Sequence, residues 1–279
     1  MIPGSKRILY VNFAFHRFVS YIRCMRDTCL PGKKSTARSI NPHISVDCVI
    51  FGFSTNQLKV LLIEREYTDE KGLRRRDHKL PGDFISPDEH LDHAASRTLE
   101  ELTGLHDIYL RQFEVFGHPN RIARKIDLDW LLETTGQRIH RVVTTAYYAL
   151  INISESNRDF AIKNNARWTN INHIPALAFD HHEIILKGLK YLQEALRNEP
   201  VGFELLPDKF TIRQLQTLYE VILNCKLDNR NFRKKVLGTT YLVQLDEKQA
   251  GVPHKPAHYY WFDRNTYARE KKDYIGFNF

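Results

Sequence analysis

The stretch that most constrains the fold of this chain is residues 80–105, LPGDFISPDEHLDHAASRTLEELTGL. It opens with a proline–glycine turn and closes near Gly104, and apolar residues recur at helical spacing in between. The pattern predicts a loop, an amphipathic helix that ends at the second glycine, and another loop. A plain loop and helix would need no particular charged residues, yet Glu89, Arg97 and Glu101 stand here at defined intervals.

The stretch resembles a Nudix box, the loop–helix–loop signature G-x5-E-x7-R-E-U-x-E-E-x-G-U, in which U is apolar. Aligning the pattern on Glu89 and Arg97 puts its first glycine at Asp83. Two of its three helical glutamates are replaced, by Thr98 and Leu102. The remaining matches are Leu99, Glu101, Gly104 and Leu105. The resemblance implies a Nudix fold with a degenerate box.

The replaced glutamates bear on catalysis. In the family pattern the three helical glutamates lie at i, i+3 and i+4, so they share one face and can gather oxygen ligands around Mg²⁺ beside a diphosphate. Here that face carries Thr98, Glu101 and Leu102. Asp83 also removes backbone freedom from the loop and adds negative charge where a pyrophosphate would lie. We therefore expect a domain that is not an enzyme, with no catalytic residue, metal or cofactor.

The composition predicts a soluble globular protein with room for two domains. The 279 residues are 42% hydrophobic and 27% charged, and no apolar run reaches transmembrane length. The four cysteines, Cys24, Cys29, Cys48 and Cys225, show no metal-ligand spacing and indicate reduced thiols. These features predict a cytoplasmic protein with no membrane partner.

The net charge of +8 is unevenly distributed. Residues 1–43 carry 8 Lys/Arg and 1 Asp/Glu, residues 44–200 carry 20 and 23, and residues 201–279 carry 13 and 9. A mildly acidic body with a basic C-terminal segment favours a polyanionic partner at that end. A solvated basic surface is the alternative explanation of the same composition.

The chain divides into three predicted segments. Residues 1–43 are an N-terminal extension that we expect to be poorly ordered, and residues 44–178 are a Nudix-like effector-sensing domain. The elements predicted in that domain are strands at 46–53 and 58–63, a charged loop at 64–78, the box, a strand at 110–117, a loop at 119–135 with a short helix, and strands at 138–153 and 166–171.

Residues 179–279 follow the order of a winged helix-turn-helix domain. The predicted elements are a helix at 181–197 capped by Asp180, a strand at 203–206, a helix at 211–223 with a Thr211/Gln214 capping box, a helix at 229–237 between Asp228 and Gly238, and strands at 240–245 and 258–262. Adjacent residues on a helix do not face one another, so His181, His182 and Glu183 indicate a helix start rather than a metal site.

In this order the second helix of the pair would be the recognition helix, and the loop between the strands would be the wing. Arg and Lys pair with phosphates and guanine edges, and Asn can read adenine, so we expect base contacts from Arg230, Asn231 and Arg233. Phosphate contacts are expected from Arg213, Gln214, Lys234, Lys235 and, on the wing, Lys255. A helical packing domain with a basic face is the alternative.

A Nudix-like domain followed by a winged helix is similar to the Nudix-related transcriptional regulators, the NrtR-type repressors. The phrases VDCVIFGF, LKVLLIER, ALAFDHHEII and LDNRNFRKKVL carry the resemblance, which covers residues 44–265. It implies an α+β chain in which a Nudix-like α/β/α sandwich precedes a winged helix-turn-helix domain. It also implies a homodimer that binds a palindromic double-stranded DNA operator and releases it when a small effector occupies the Nudix pocket.

The resemblance implies a sugar effector such as arabinose, because a branch of the family with a degraded box senses sugars. We expect it on the sheet face beside the box, at Arg65, Lys79, Glu101 and Tyr147, since sugar hydroxyls need paired donors and acceptors. Two alternatives stay open. One is the same regulator sensing ADP-ribose or a related nucleotide of NAD metabolism, and the other is a Nudix hydrolase with an accessory C-terminal domain.

Overall fold

The computed structural model describes residues 39–106, 108–253 and 255–270, so most of the predicted N-terminal extension, together with Cys24 and Cys29, lies outside the described residues. A seven-stranded mixed sheet has the order β3-β2-β1-β6-β5, with β4 paired to β1 and β7 paired to β2. Its strands are β1 (Ile44–Ser54), β2 (Gln57–Thr68), β3 (Arg74–Lys79), β4 (Gly82–Phe84), β5 (Arg111–Phe116), β6 (Val143–Asn152) and β7 (Ala166–Asn170). The central neighbours β1 and β6 are parallel.

Seven helices accompany the strands in the described residues. They are α1 (Leu91–Thr103), α2 (Lys125–Thr135), α3 (Glu155–Lys163), α4 (His181–Asn198), α5 (Ile212–Leu223), α6 (Asn229–Leu237) and α7 (Arg264–Glu270). Two 3-10 helices lie at Ile171–His173 and Val201–Leu205, and a second sheet pairs β8 (Leu242–Lys248) with β9 (His258–Phe262). In the part of the chain so described, no helix combines the length and apolar character needed to cross a membrane.

The large sheet is covered by a helix on each face. Strand side chains alternate between the faces, so Cys48 and Ile50 pack with the box helix α1 through Ala95, while Val49 and Phe51 lie in the core that includes Ile184 of α4. The predicted α/β/α sandwich is therefore confirmed. The box helix ends as expected, because Gly104 adopts a left-handed conformation (φ 72°) and its N–H bonds to the Glu100 carbonyl.

The core on the α4 face continues without interruption into the C-terminal part of the chain. Gly202 lies closely packed between Leu196 at the end of α4 and Leu218 of α5, because a Cβ added there would be 2.9 Å from Leu196 Cδ1 and 3.2 Å from Leu218 Cδ2. Gln193 Nε2 donates to the Ile222 carbonyl at 2.8 Å, which ties α4 to α5. Helix α4 is thus packed against both the large sheet and the helix pair that follows it.

The C-terminal elements have the winged helix-turn-helix arrangement that the sequence predicts. The Thr211/Gln214 capping box forms at the start of α5, and the Asp228 carboxylate accepts from the Asn231 N–H at the start of α6. Phe232 of α6 is 1% exposed and meets Tyr219 of α5 edge to face, with ring centroids 5.7 Å apart. These contacts fix the second helix against the first.

Three predicted features were wrong in ways that have physical causes. The loop predicted at 64–78 is mostly strand, because β2 runs on to Thr68 and pairs with β3 through charged residues such as Arg76 and Glu66. The strand predicted at 203–206 is part of the 3-10 helix that starts at Val201. Asp180 does not cap α4 with its side chain, since Arg121 takes both carboxylate oxygens at 2.8 and 2.7 Å.

Other predicted boundaries shifted by several residues. The short helix expected within 119–135 extends over the whole of α2, and the strand expected at 138–153 begins only at Val143. Helix α3 has no counterpart among the predicted elements. Its sequence, ESNRDFAIK, opens with five polar residues and has its apolar residues side by side near the end. The segment therefore lacks the apolar periodicity that signals a helix.

Candidate effector site and nucleic-acid interface

Arg97, at the middle of the box helix, gathers the acidic side chains of the box. Its guanidinium donates to Glu89 at 2.7 and 3.0 Å, to Asp83 at 3.1 Å and to Glu101 at 3.0 Å. It also donates to the Phe84 carbonyl at 3.2 Å. Burial alone would lower the pKa of Arg97, but Glu89, Glu101 and Asp83 together raise it above its usual value. The retained acidic residues of the box therefore hold an arginine and brace the loop before the helix.

The two positions that lack a glutamate are turned toward the protein interior. Thr98 is 0% exposed, and its hydroxyl has no hydrogen-bond partner among the described residues. Leu102 packs against the core beneath the box helix. In the described part of the chain, no three His, Cys, Asp or Glu side chains are placed to hold a metal ion. Of the pattern's three helical glutamate positions, Glu101 alone keeps a carboxylate, and that carboxylate is bound to Arg97.

The loop between β3 and the box helix depends on glycine one position earlier than the family pattern has it. A Cβ at Gly82 would lie 2.0 Å from Asp47 Oδ1 and 2.9 Å from the Val46 carbonyl, so only glycine fits there. Asp83 is not among the residues with positive φ, and its carboxylate binds the Phe84 N–H at 2.8 Å and Arg97. The charge that Asp83 adds to the loop is compensated by Arg97.

Of the four predicted effector residues, Lys79 and Arg65 lie buried near the start of this loop. Lys79 Nζ donates to the carbonyls of Leu80 and Gly82 at 3.3 and 3.0 Å, and burial lowers the pKa of its ammonium group. Arg65 is 3% exposed and donates to Asp77 and Asp127. Both cations already have partners within the protein.

Three aromatic rings surround the guanidinium of Arg65. Its guanidinium carbon lies 5.2–5.4 Å from the ring centroids of Tyr67, Trp130 and Phe179. Asp127 binds a second arginine, Arg124, at 2.7 and 3.0 Å. A guanidinium enclosed by two carboxylates and three rings is stabilised where it stands, because a buried charge needs such partners.

The other two predicted effector residues lie at opposite ends of the box helix. Tyr147 is 1% exposed and its hydroxyl donates to Asp92 in the first turn at 2.7 Å. Burial and this hydrogen bond raise the pKa of Tyr147 above its usual value. Glu101 lies in the last turn with 54% of its side chain exposed, bound to Arg97. The four residues thus surround the box, and Glu101 is the one that faces solvent; their role in ligand binding stays a prediction.

A second buried charge cluster was not predicted from the sequence. Asp47 of β1 is 5% exposed and lies 3.4 Å from both Arg121 Nη2 and His181 Nε2. The Leu80 N–H donates to His181 Nδ1 at 2.9 Å, so Nε2 is the ring nitrogen that faces Asp47. Asp47 and His181 are 134 residues apart in the sequence, with Leu80 and Arg121 between them. Only the fold brings these four residues together.

The predicted DNA-binding residues lie on the exposed side of α5, α6 and the wing. Arg230, Asn231, Arg233, Lys234 and Lys235 are all exposed on α6, opposite the buried Phe232 and Val236. Arg213 on α5 is exposed and reaches Asn229 at 3.4 Å, Gln214 uses its Oε1 in the capping box, and Lys255 is exposed between β8 and β9. The structure therefore places these side chains on one pair of helices and its wing.

The turn between the two helices is fixed by side chains that were not predicted from the sequence. Glu220 Oε1 accepts from the Leu227 N–H and from Gln216 Nε2, both at 3.1 Å. Gln216, only 3% exposed, also donates to the Leu227 carbonyl at 3.0 Å. A buried glutamine inside an otherwise apolar helix face is the signal that could have revealed this clamp.

Two family models match this chain, one in its N-terminal part and one in its C-terminal part. Residues 41–186 match the NUDIX domain, and residues 202–262 match the NrtR DNA-binding winged helix domain. The first match spans the large sheet with its helices and the start of α4. The second begins in the 3-10 helix after α4 and ends with β9.

Two described proteins can be aligned with most of this chain. The chain is 30% identical over 232 residues to the ADPR responsive transcriptional repressor NtrR of Acinetobacter baylyi, covering 81% of this chain and 84% of that protein. It is 27% identical over 189 residues to an ADP-ribose pyrophosphatase of Methanocaldococcus jannaschii, covering 67% of this chain and 94% of that protein.

Among solved structures, the chain resembles Shewanella oneidensis NrtR complexed with a 27mer DNA, with a TM-score of 0.62 and 27% sequence identity. That likeness covers 81% of this chain and 95% of the other, so it includes both halves. Together with the two family matches, it shows that this chain belongs to the NrtR family of regulators, in which a NUDIX domain is followed by a DNA-binding winged helix domain.

Proposed function

We propose that this protein is a transcriptional repressor that binds DNA through α5, α6 and the wing. The observation that carries the proposal is the surface of α6, where Arg230, Arg233 and Lys234 are exposed and have no acidic partner among the described residues. The buried Arg65 and Arg121 of the NUDIX domain are paired with carboxylates, and so is the half-buried Arg97. Exposed cations without internal partners are available to phosphates and guanine edges.

The repressor is proposed to act as a homodimer on a palindromic site. One α6 helix presents a short row of side chains and can read only a few base pairs. A two-fold dimer reads two half-sites about one or two helical turns apart, roughly 10 or 20 bp. Sedimentation equilibrium of the free protein and the symmetry of a sequence selected from random DNA test this part independently.

ADP-ribose, or a related nucleotide of NAD metabolism, is the proposed effector of the NUDIX domain. The support is the identity to a repressor whose name describes it as ADPR responsive. The sugar expected from the degenerate box has no support among these relatives. The objection that Asp83 would repel a pyrophosphate also loses weight, because Arg97 lies 3.1 Å from that carboxylate.

Binding without hydrolysis is the proposed outcome at this site. Thr98 and Leu102 face inward, and Glu101 is engaged with Arg97, so a cluster of carboxylates for Mg²⁺ is missing from the box helix. The identity to an archaeal ADP-ribose pyrophosphatase makes hydrolysis the second candidate activity. It would need metal ligands other than the pattern's three helical glutamates.

A thermal-shift titration with ADP-ribose, AMP and L-arabinose tests the effector. A ligand present at 100 times its Kd stabilises the native state by about 2.7 kcal/mol, which raises the melting temperature of a chain of this size by about 5–10 °C. We expect this shift with ADP-ribose and none with L-arabinose. A shift with arabinose alone would restore the sugar effector.

The same mixtures, analysed by chromatography after incubation with Mg²⁺ or Mn²⁺, test hydrolysis. We expect no hydrolysis of ADP-ribose at the rate of a typical enzyme, which is on the order of 1 s⁻¹ or faster. Release of AMP at such a rate would contradict the proposal of a non-catalytic domain.

A further inference from the structure

Residues 177–181, here called the hinge segment, lie between the NUDIX sheet and the helix that leads to the DNA-binding domain. The Ala178 N–H donates to the His78 carbonyl at 2.8 Å, and His78 forms a parallel bridge with Leu177. His78 is in turn followed by Lys79 and by the box loop, residues 80–83. The hinge segment is therefore docked on the strand from which the box loop departs.

The first half of the hinge segment is bonded to the buried ionic cluster formed by Arg65, Asp127 and Arg124. Asp127 accepts from the Phe179 N–H at 3.3 Å, and Arg124 donates to the Leu177 carbonyl at 3.0 Å. The Phe179 ring lies 6.0 Å from the Trp130 ring, centroid to centroid. The backbone here is thus bonded to a buried ionic cluster of the NUDIX domain.

Phe179 has a backbone conformation that side chains with a Cβ rarely adopt, with φ at 52°. Such a conformation persists only where the surroundings over-determine it, and such residues cluster at switches and ligand clamps. Here the anchors on either side supply that constraint, since Asp127 binds the Phe179 N–H and Arg121 binds Asp180. Loss of one anchor would leave the segment free to relax.

The second half of the segment is bonded directly to the box loop through one side chain. His181 Nδ1 accepts from the Leu80 N–H at 2.9 Å, and His181 Nε2 lies 3.4 Å from Asp47 Oδ1. That same Asp47 oxygen is the atom that a Cβ at Gly82 would meet at 2.0 Å. Any displacement of the box loop therefore reaches His181 by two routes, one through Leu80 and one through Asp47.

From His181 onward the path to the DNA-binding domain is a single helix. His181 is the first residue of α4, which runs to Asn198. Its far end is tied to α5 by the bond from Gln193 to the Ile222 carbonyl, and Leu196 lies in the same buried cluster as Leu218 of α5. Because packed helices shift as units and do not deform continuously, a movement at the first turn is transmitted to α5.

We propose that His181 is the residue that couples the effector site to DNA binding. This inference rests on the proposed function, because it places the effector beside the box loop. Ligand binding shifts the box loop, the bonds from Leu80 and Asp47 carry that shift to His181, and α4 reorients the helix pair that reads DNA. Coupling requires two states with different contacts, and the strained hinge segment is the element that changes between them.

The first test compares His181→Gln, His181→Asn and His182→Gln in the full chain. A glutamine can still donate near the Nε2 position and so keeps the Asp47 bond, whereas an asparagine can still accept near Nδ1 and so keeps the Leu80 bond. His182 is the exposed neighbour and serves as the matched control. Circular dichroism and the melting temperature establish that each variant is folded.

The measured quantity is the ratio of DNA dissociation constants with and without saturating ADP-ribose. The probe is a duplex selected by the wild-type protein from random sequence. We expect a ratio of about 5–150 in the wild type and in His182→Gln. In at least one of the two His181 variants it should fall at least threefold, while its affinity for ADP-ribose stays within about twofold of the wild type. Unchanged ratios in both would overturn the proposal.

A second experiment measures DNA affinity without any effector. It therefore tests the coupling role of His181 independently of which ligand the protein binds. Gly82→Ala forces Asp47 to shift, so circular dichroism first establishes that the variant is folded, and we then expect it to change DNA affinity at least threefold in the wild-type background. In the His181→Asn background, which lacks the Asp47 bond, the same change should have an effect of less than about 1.5-fold. Equal effects in both backgrounds would overturn the coupling role. If ADP-ribose does not alter wild-type DNA binding, the effector assignment fails while this experiment still decides the coupling.

Discussion

Charged side chains in this protein follow two different rules at the level of single residues. In the NUDIX domain Arg65, Arg97 and Arg121 are each in contact with at least two carboxylates. On α6 the basic residues Arg230 and Arg233 are exposed and have no acidic partner within the described ranges. A buried guanidinium must be paired to offset its desolvation, whereas a cation that binds DNA must stay available.

Removing Arg97 tests the bracing role of the box arginine. Arg97→Ala leaves Glu89, Asp83 and Glu101 without their shared donor, and hydrogen bonds to charged groups each contribute about 1.5–3 kcal/mol. We expect the free energy of unfolding, measured by urea denaturation, to fall by about 2–4 kcal/mol. Arg76→Ala is the control, because its exposed ion pair with Glu66 should contribute about 0–1 kcal/mol.

A different outcome would change the role assigned to Arg97. Equal losses of stability in the two variants would mean that Arg97 forms only surface pairs. The box arginine would then have to be reassigned from bracing the loop to contacting a ligand.

Asp47 gives the stability of the protein a defined dependence on pH. Burial by itself raises the pKa of the Asp47 carboxyl, but His181 and Arg121 together hold it well below its usual range. A carboxyl whose pKa is lowered by folding contributes stability that is present above its unfolded pKa, about 3.9, and is lost as the pH falls through the folded value.

The measurement is the difference in free energy of unfolding between the wild type and Asp47→Asn as a function of pH. We expect a constant difference from about pH 5 to about pH 7 and a shrinking one below about pH 4, because the unfolded chain then binds a proton at this carboxyl while the folded protein does not. A difference that did not change over this range would mean that folding leaves the pKa of Asp47 at its unfolded value, and it would contradict the pairing with His181 and Arg121.

The sequence indicates which residues lie around the box, but it does not indicate which side chains they pair with. Arg65, Lys79, Glu101 and Tyr147 were predicted to bind the effector beside the box; they do lie around it, and their role in binding stays a prediction. Nothing in the sequence indicates that the first two are buried in internal pairs. Partnerships such as Asp47 with His181 depend on the tertiary fold, and a single sequence contains no local pattern for them.

The secondary-structure elements were predictable where their ends carry a chemical signal. The helix caps at Thr211 and Asp228 and the left-handed Gly104 all lie where the sequence indicates. Strand β3 was missed because it is an edge strand whose residues 74–76 are all arginine. Charged edge strands protect a sheet from further pairing, so they lack the apolar alternation that identifies a strand.

Helix α6 is the element whose function can be tested in isolation from the effector. Arg230→Ala and Arg233→Ala each remove a cation from the N-terminal half of the recognition helix, and a lost bidentate base contact costs about 1–3 kcal/mol of binding free energy. We expect dissociation constants to rise about 5- to 150-fold for the selected duplex and much less for random DNA.

The matched control is Arg138→Ala, which removes an exposed arginine from the NUDIX domain. Lys234→Ala should weaken binding to both duplexes alike and flatten the salt dependence, because a phosphate contact carries no sequence information. Wild-type affinity in the folded Arg230→Ala and Arg233→Ala variants would remove α6 from the reading role.

At the scale of the whole molecule, the two halves share one apolar core along α4. Residues of the large sheet such as Phe51, of α4 such as Leu192 and of the winged helix domain such as Leu218 belong to the same buried cluster. Such an arrangement lets the state of one half influence the other, since a packed core moves in units. The domain order could be predicted from the sequence, but the continuity of this core could not.

A titration of ADP-ribose into the complex of the full chain with its selected duplex, followed by fluorescence anisotropy, tests the proposed function most directly. We predict that ADP-ribose releases the DNA while remaining chemically intact, and that L-arabinose at the same concentration leaves the complex bound. Anisotropy that stays unchanged with ADP-ribose, or release by arabinose alone, would contradict the central claim that this protein is a repressor controlled by ADP-ribose.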